Sequence, residues 1–335
     1  MATPTWFMPA EWEQHELTWM AWPSSGYTLG ETEAEAMEAR ETWAAVANAV
    51  VRFEPVSMLC ENEDLEIARA FLDPAVELIP AELNDAWMRD IGPTFVKDET
   101  GKLAGVNWIF NGWGAQHWAA WDKDSQVAEF ISNQVGLPTL DSPLINEGGG
   151  IHVNGAGVVL LTETVQLGEG RNASWTKDDV EAEIHSKLGT SEAIWLKRGL
   201  TRDYDEFGTR GHIDIVACFA NEDTVLFHDQ KNQDHPDYWI SQEVRRVLKA
   251  ARDAEGNKLN VISGGDGSDR IWAENRSEFQ TVGIGNDTIH GDGGADIIYG
   301  GDKPALARAI YRHIPEAATQ RRLAVAVDVP REPEA

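Results

Sequence analysis

The strongest constraint on this chain is an alternation of helical and strand patterns that runs to about residue 262 and then stops. In residues 31–52, Ala34, Met37, Trp43, Val46, Ala47 and Val50 recur at helical spacing with Glu mostly between them, the pattern of a half-buried helix. Residues 55–60 read as a short strand, residues 64–71 as a helix stopped by Asp73-Pro74, and residues 76–79 as a strand. A strand near 94–97 leads into a hairpin-type turn at 98–101, and 125–135 is helical. Residues 151–153 and 158–162 flank Asn154-Gly155, a strong hairpin signal. A helix at 177–188 ends at Gly189. Residues 193–196, 212–220 and 224–228 read as strands, and 238–253 as the last clear helix. Helices alternating with strands and hairpins predict an α/β or α+β fold rather than a helical bundle. No G-x-G-x-x-G or P-loop supports nucleotide binding.

At Ser263 the composition changes. Residues 264–272, 282–290 and 291–299 each place Gly fourth, Asp sixth and Ile eighth, and all start in one nine-residue register; 273–281 fill the skipped unit without the pattern. This is the Ca²⁺-binding nonapeptide of a parallel β-roll. Its glycines allow tight turns, its Asp offers a hard oxygen, and its eighth residue fills the roll. Ca²⁺ takes six to eight oxygen ligands. Asp269 and Asp287, eighteen positions apart, are placed to share an ion; Asp296 lacks a well-formed partner unit. The alternative is a Gly/Asp loop that binds nothing. A short amphipathic helix at 303–314, a strand-like 323–329 and an acidic tail follow.

With 335 residues, 42% of them hydrophobic and 14 of them Trp, the chain has ample material for a core. A formal charge of −28 argues against nucleic acid, whose phosphates need a basic surface. It suits a cationic small molecule or a bound cation, although solubility alone also accounts for it. Two cysteines, Cys60 and Cys218, make neither a disulfide framework nor a zinc spacing. The N-terminus shows no cleavable signal peptide, and no apolar run of about 18 residues is present to span a membrane.

Four stretches carry chemistry. Trp87-Met-Arg-Asp90 sets an aromatic face three residues from a carboxylate, which suits a flat cation; alone it reads better as a core Trp beside a surface Asp–Arg pair. Asn146-Glu147-Gly-Gly-Gly150 lets backbone approach a ligand with Glu147 at its edge, or is a plain turn. Gly211-His212-Ile-Asp214 opens the strand expected at 212–220. There residues two apart share a face, so an acid/base projects beside a carboxylate, or a solvated pair does. Asn111-Gly-Trp113-Gly114 adds another aromatic.

Together with Met8-Pro-Ala-Glu-Trp-Glu-Gln-His15, Thr18-Trp-Met-Ala-Trp-Pro23, Phe110–Gly114, Leu161-Thr-Glu-Thr164, Gly170-Arg-Asn172 and Ala217-Cys-Phe219, these stretches make residues 6–262 resemble the agmatine deiminase and bacterial peptidylarginine deiminase family of the pentein superfamily. The opening segment and the Trp–Asp loop favour the agmatine branch.

The resemblance implies a five-bladed α/β propeller of ββαβ units. Its last blade is expected to be atypical, with a short parallel β-roll-like segment. The implied domains are 1–262 (deiminase-like), 263–302 (nonapeptide repeats) and 303–335 (helix and tail). It implies hydrolysis of agmatine to N-carbamoylputrescine and ammonia by a Cys thiolate, without a cofactor; Ca²⁺ is implied only at the repeats. Carried over, Asp90 and Asp214 grip the guanidinium and His212 is the acid/base. Glu147 assists, Trp87 lines the pocket, and Asp85 and Trp113 are further substrate contacts. A guanidinium stays protonated at neutral pH, so it needs a carboxylate-lined pocket beside a strong nucleophile.

Here the pattern departs from the family. No Cys follows Cys218, where the family carries its nucleophile after a glycine run. Cys218 and Cys60 read as core residues. Cys218 is expected about 20 Å from His212 on a continuous strand. Impaired turnover is therefore expected. The alternatives are a non-catalytic guanidine-binding protein, or a secreted Ca²⁺-binding fusion with a degenerate deiminase domain. A homodimer is among the assemblies implied; the family points to the cytoplasm and the repeats to type I secretion.

Overall fold

The computed structural model describes residues 5–263. The nonapeptide repeats, Asp269, Asp287, Asp296, the helix expected at 303–314 and the strand expected at 323–329 lie outside the described residues.

Among the described residues, twelve strands form four three-stranded sheets. In the first, β1 (Thr18–Ala21), β2 (Val56–Cys60) and β3 (Glu77–Pro80) are all parallel, joined by helices α1 (Glu33–Val50) and α2 (Leu65–Phe71). The other three repeat one plan: two antiparallel strands, a helix, then a strand parallel to the second. They are β4 (Thr94–Lys97), β5 (Leu103–Ile109) and β6 (Thr139–Ile145) with helix α3 (Val127–Gln134); β7 (His152–Val153), β8 (Val158–Thr162) and β9 (Glu192–Leu196) with α4 (Lys177–Leu188); and β10 (Ala217–Phe219), β11 (Thr224–Phe227) and β12 (Asn260–Ser263) with α5 (Tyr238–Ala250).

The central strands β2, β8 and β11 are buried along their whole length, as expected of strands covered on both faces. Their side chains help form the main cores; Val158 and Leu160 of β8 and Val225 of β11, for example, pack with Ile194 and Leu196 of β9 and Leu248 of α5. Two of the helices start at caps that the sequence supplies. Thr32 with Glu35, and Thr176 with Asp179, each close a reciprocal capping box. Gly189 ends α4 in the left-handed conformation.

One expectation is overturned. Residues 212–220 are not a continuous strand; only Ala217–Phe219 is extended. The amides of Ile213 and Asp214 both donate to Gly149 O, and those of Val216 and Ala217 both return to Ile213 O. Backbone bonds thus curl 212–216 into a turn that alternation of polar and apolar residues mimics. The argument that two-residue spacing on a strand aligns His212 with Asp214 falls with it, as does the 20 Å separation from Cys218. Strands β1 and β6 were not legible. β1 is only four residues long, and β6 contains Asp141, Ser142 and Pro143.

Candidate functional site

The site groups sit on the loops that enter the three repeated units. Asp90 lies on the single helical turn Met88–Ile91 ahead of β4. Glu147 and Gly149 precede β7, and His212 and Asp214 precede β10. Gly149 joins them. Its amide donates to Asp90 Oδ1 at 2.9 Å, and its carbonyl accepts from Ile213 (3.1 Å) and Asp214 (3.3 Å). No side chain fits there: a Cβ on Gly149 would stand 2.4 Å from His212 Nδ1 and 2.8 Å from Asp214 Oδ2.

His212 is buried among three carboxylates. Its Nδ1 is 3.9 Å from both Asp90 Oδ1 and Asp214 Oδ1, and its Nε2 is 3.6 Å from Glu147 Oε2. His212 and Asp214 are therefore neighbours, brought together by a turn. Burial opposes charging of the imidazole, but Asp90, Glu147 and Asp214 outweigh it and push His212 up to about 9. Burial pushes Asp214 up to about 6, with Asp90 adding repulsion while His212 and Arg89 pull the other way. Burial also works against ionised Glu147, yet Arg171 and His212 hold it below the usual carboxylate value. The cluster thus pairs a protonated imidazole with carboxylates of unequal acidity.

Trp113 is in direct contact with this cluster. Its indole N–H donates to Asp90 Oδ2 at 2.9 Å, and its ring stacks on Trp118 at 5.2 Å. Trp113 holds a left-handed backbone (φ 56°), a strained conformation at the edge of the site. Trp87 sits beside Asp90 in sequence, and its ring meets Trp43 edge-on at 5.8 Å within an apolar cluster. Asp85 is committed elsewhere: it accepts from the amides of Tyr27, Thr28 and Ala86. Cys60 is fully buried in the core of the first sheet, its thiol pushed up to about 12 by burial and nearby Asp64. Cys218 packs with Ala220, Leu226 and Ile262.

Two residues of the site escaped sequence reasoning. Arg171, buried, donates through Nε to both Glu147 oxygens (2.9 and 3.1 Å) and through Nη2 to Thr209 O. Its signal was the Gly-Arg-Asn stretch, which carried the resemblance but no role. Arg89, 2.7 Å from Glu11, is the other cation whose charge reaches Asp214 and Asp90; the opening segment that contains Glu11 gave no hint of this pairing. Trp113 and Arg171 also line a cleft of about 670 Å³ with Lys197, Tyr204 and Arg210. Most of its charges are matched, Lys197 by Glu243 and Glu163 by Lys177. Among the described residues, no group of three or more His, Cys, Asp or Glu is arranged to hold a metal.

The fold is mixed α/β, and its loops converge on acids, an imidazole and an indole. Residues 7–264 match the model of the Porphyromonas-type peptidyl-arginine deiminase family, and the chain belongs to that family. A protein of Streptomyces coelicolor named as a candidate agmatine deiminase is 47% identical over 92% of this chain and 91% of its own. The agmatine deiminase of Stutzerimonas stutzeri is 38% identical over 76% of this chain and 69% of its own. The solved agmatine deiminase of Enterococcus faecalis superposes with a TM-score of 0.72 at 29% identity, over 81% of this chain and 73% of that one. Residues 256–275 and 281–302 match the RTX calcium-binding nonapeptide repeat. The first of these matches overlaps β12, which pairs with β11 in the fourth sheet.

Proposed function

We propose that the pocket binds the guanidinium of an agmatine-like cation and that its turnover to a urea and ammonia is impaired. The observation that carries the binding is Asp214 Oδ1, a buried acceptor with no hydrogen-bond partner among the described residues. Leaving such an atom unpaired costs about 1–3 kcal/mol, so the site is suited to a ligand that donates hydrogen bonds. In this reading Asp90, already oriented by Gly149 and Trp113, and Asp214 grip the nitrogens of a planar cation. Glu147 and Arg171 hold His212 on the opposite side, Trp87 supplies an apolar wall, and Asp85 shapes the chain around Tyr27 rather than touching substrate.

His212 carries its proton at neutral pH, as an acid that protonates departing ammonia must. The nucleophile is what is wanting: both cysteines lie in strand cores, and no cysteine follows Cys218 in the 335 residues. Calorimetry with agmatine is expected to show saturable binding that Asp214→Ala weakens by roughly 100-fold, since a charged hydrogen-bonding partner is worth about 1.5–3 kcal/mol or more when buried. An ammonia and N-carbamoylputrescine assay is expected to show little or no product. Wild-type affinity in Asp214→Ala would reject the binding reading, and brisk ammonia release the impairment.

In architecture, the four sheets are read as four blades of a five-bladed propeller. The repeated two-antiparallel, helix, one-parallel plan supports this. The atypical blade, the nonapeptide segment 263–302 and the tail 303–335 then follow a deiminase-like domain at 1–262. The RTX match supports Ca²⁺ binding at Asp269 and Asp287, with Asp296 less well furnished. Saturating Ca²⁺ is expected to raise the melting temperature of the full chain, because a ligand that binds only the folded state stabilises it by mass action. The same melting curve with and without Ca²⁺ would remove that assignment.

A further inference from the structure

We propose that Asp203 is a positioning residue that sets both members of the His212–Glu147 pair. Asp203 is 9% exposed and lies within the segment Thr201–Tyr204 that leads into the His212 loop. Its Oδ1 accepts from Thr209 N (2.8 Å) and Thr209 Oγ1 (2.9 Å). Its Oδ2 accepts from His212 N (3.0 Å), Thr209 Oγ1 (2.8 Å) and the amide of Gly211. Its own carbonyl accepts from Arg210 N at 3.0 Å. One carboxyl group therefore gathers the backbone of 209–212 around itself.

Two consequences follow from this geometry. The His212 amide is pinned, which fixes where the imidazole leaves the chain, between Asp90, Asp214 and Glu147. The Thr209 carbonyl is also turned towards Arg171, which donates to it at 2.8 Å while its Nε holds Glu147. The loop is secured from outside as well. Thr162 Oγ1 donates to Gly211 O at 2.6 Å, and Tyr204 OH bonds both Thr164 Oγ1 and the Gly199 amide. Asp203 has no hydrogen bond to the imidazole, so it acts through the backbone and not in the chemistry. An amide in its place would turn an NH₂ towards donors that need an acceptor.

The proposal deepens the guanidinium reading, and its test does not depend on that reading. The Cε1–H resonance of His212 is followed against pH in the full-length protein, assigned by its loss in His212→Gln. In Asp203→Asn the midpoint is expected to fall from about 9 by roughly one pH unit or more towards 6.5 as the ring leaves its carboxylates. The other histidines should be unmoved. In Thr209→Val, which removes only the hydroxyl, it shifts the same way by about 0.3 pH unit. A purely structural role lowers the melting temperature without moving this titration. An unchanged His212 midpoint in folded Asp203→Asn overturns the proposal; if that variant does not fold, an unchanged midpoint in Thr209→Val does so. Agmatine calorimetry on the same samples separates the two ideas. No binding by the wild type with a midpoint that still falls removes the guanidinium reading alone. Binding with an unmoved midpoint removes the positioning role alone.

Discussion

Replacing Gly149 by alanine is expected to destroy agmatine binding while leaving the protein folded. Gly149 is not among the residues with positive φ, so an alanine is permitted by the backbone and the substitution probes contact rather than strain. The added methyl would meet His212 Nδ1 at 2.4 Å and Asp214 Oδ2 at 2.8 Å, closer than carbon and these atoms approach. Both groups must move apart, and the bonds from Ile213 and Asp214 to the Gly149 carbonyl must stretch. Overpacking of this kind costs about 1–3 kcal/mol, or roughly 5- to 150-fold in Kd if it falls on the site alone. Spoiled alignment of the charged groups adds to that. Calorimetry against the wild type is the measurement. Affinity within about twofold of wild type would mean that the cluster around Gly149 does not bind the cation.

The largest effect on stability is expected at Arg171. The Arg171–Glu147 pair is almost fully withdrawn from water, with side-chain exposures of 2% and 0%. Removing one partner of a buried pair strands the other, typically at 3–5 kcal/mol. Arg171→Met should therefore lower the melting temperature by roughly 6–20 °C. The sign with pH identifies the cause. In the wild type Glu147 titrates below its ordinary 4.5, so its contribution is present above that value and lost as pH falls through the folded value. Without Arg171 burial dominates and the carboxyl is raised, so the variant should become more stable as pH drops from about 8 to about 5. The double variant Arg171→Met/Glu147→Gln should recover much of the loss. A melting temperature within about 2 °C of wild type in the single variant would show that Glu147 is not held by Arg171.

Much of this protein was legible from its residues. Helices with caps and regular spacing, such as Lys177–Leu188 with Thr176 and Gly189, are written locally, and so is the Asn154-Gly155 hairpin. Glu147 stood out beside the glycines 148–150, and His212 and Asp214 through their two-residue spacing and the family resemblance. What stayed hidden is long-range. The turn at 212–216 is imposed by the Gly149 carbonyl, 64 positions from Ile213, and nothing near His212 announces it. Arg171 and Asp203 are common residue types on loops, and only the fold reveals that each is buried against the site. Asp85 was expected to contact substrate; its carboxylate accepts from the amides of 27–28, partners that nothing in its own loop announces.

The placement of the site groups on the entry loops of three successive units has a consequence for how the molecule must form. The bonds that define the pocket join Asp90 to Gly149 and Gly149 to Ile213, across 59 and 64 positions of chain. Contacts of such separation are rewarded only after the intervening segments have been ordered, and that ordering is the slow part of folding in strand-rich topologies. No excised fragment of one unit holds a reduced version of the pocket. The cluster belongs to the three units together and comes into being late, when the last of the three loops is delivered to the other two.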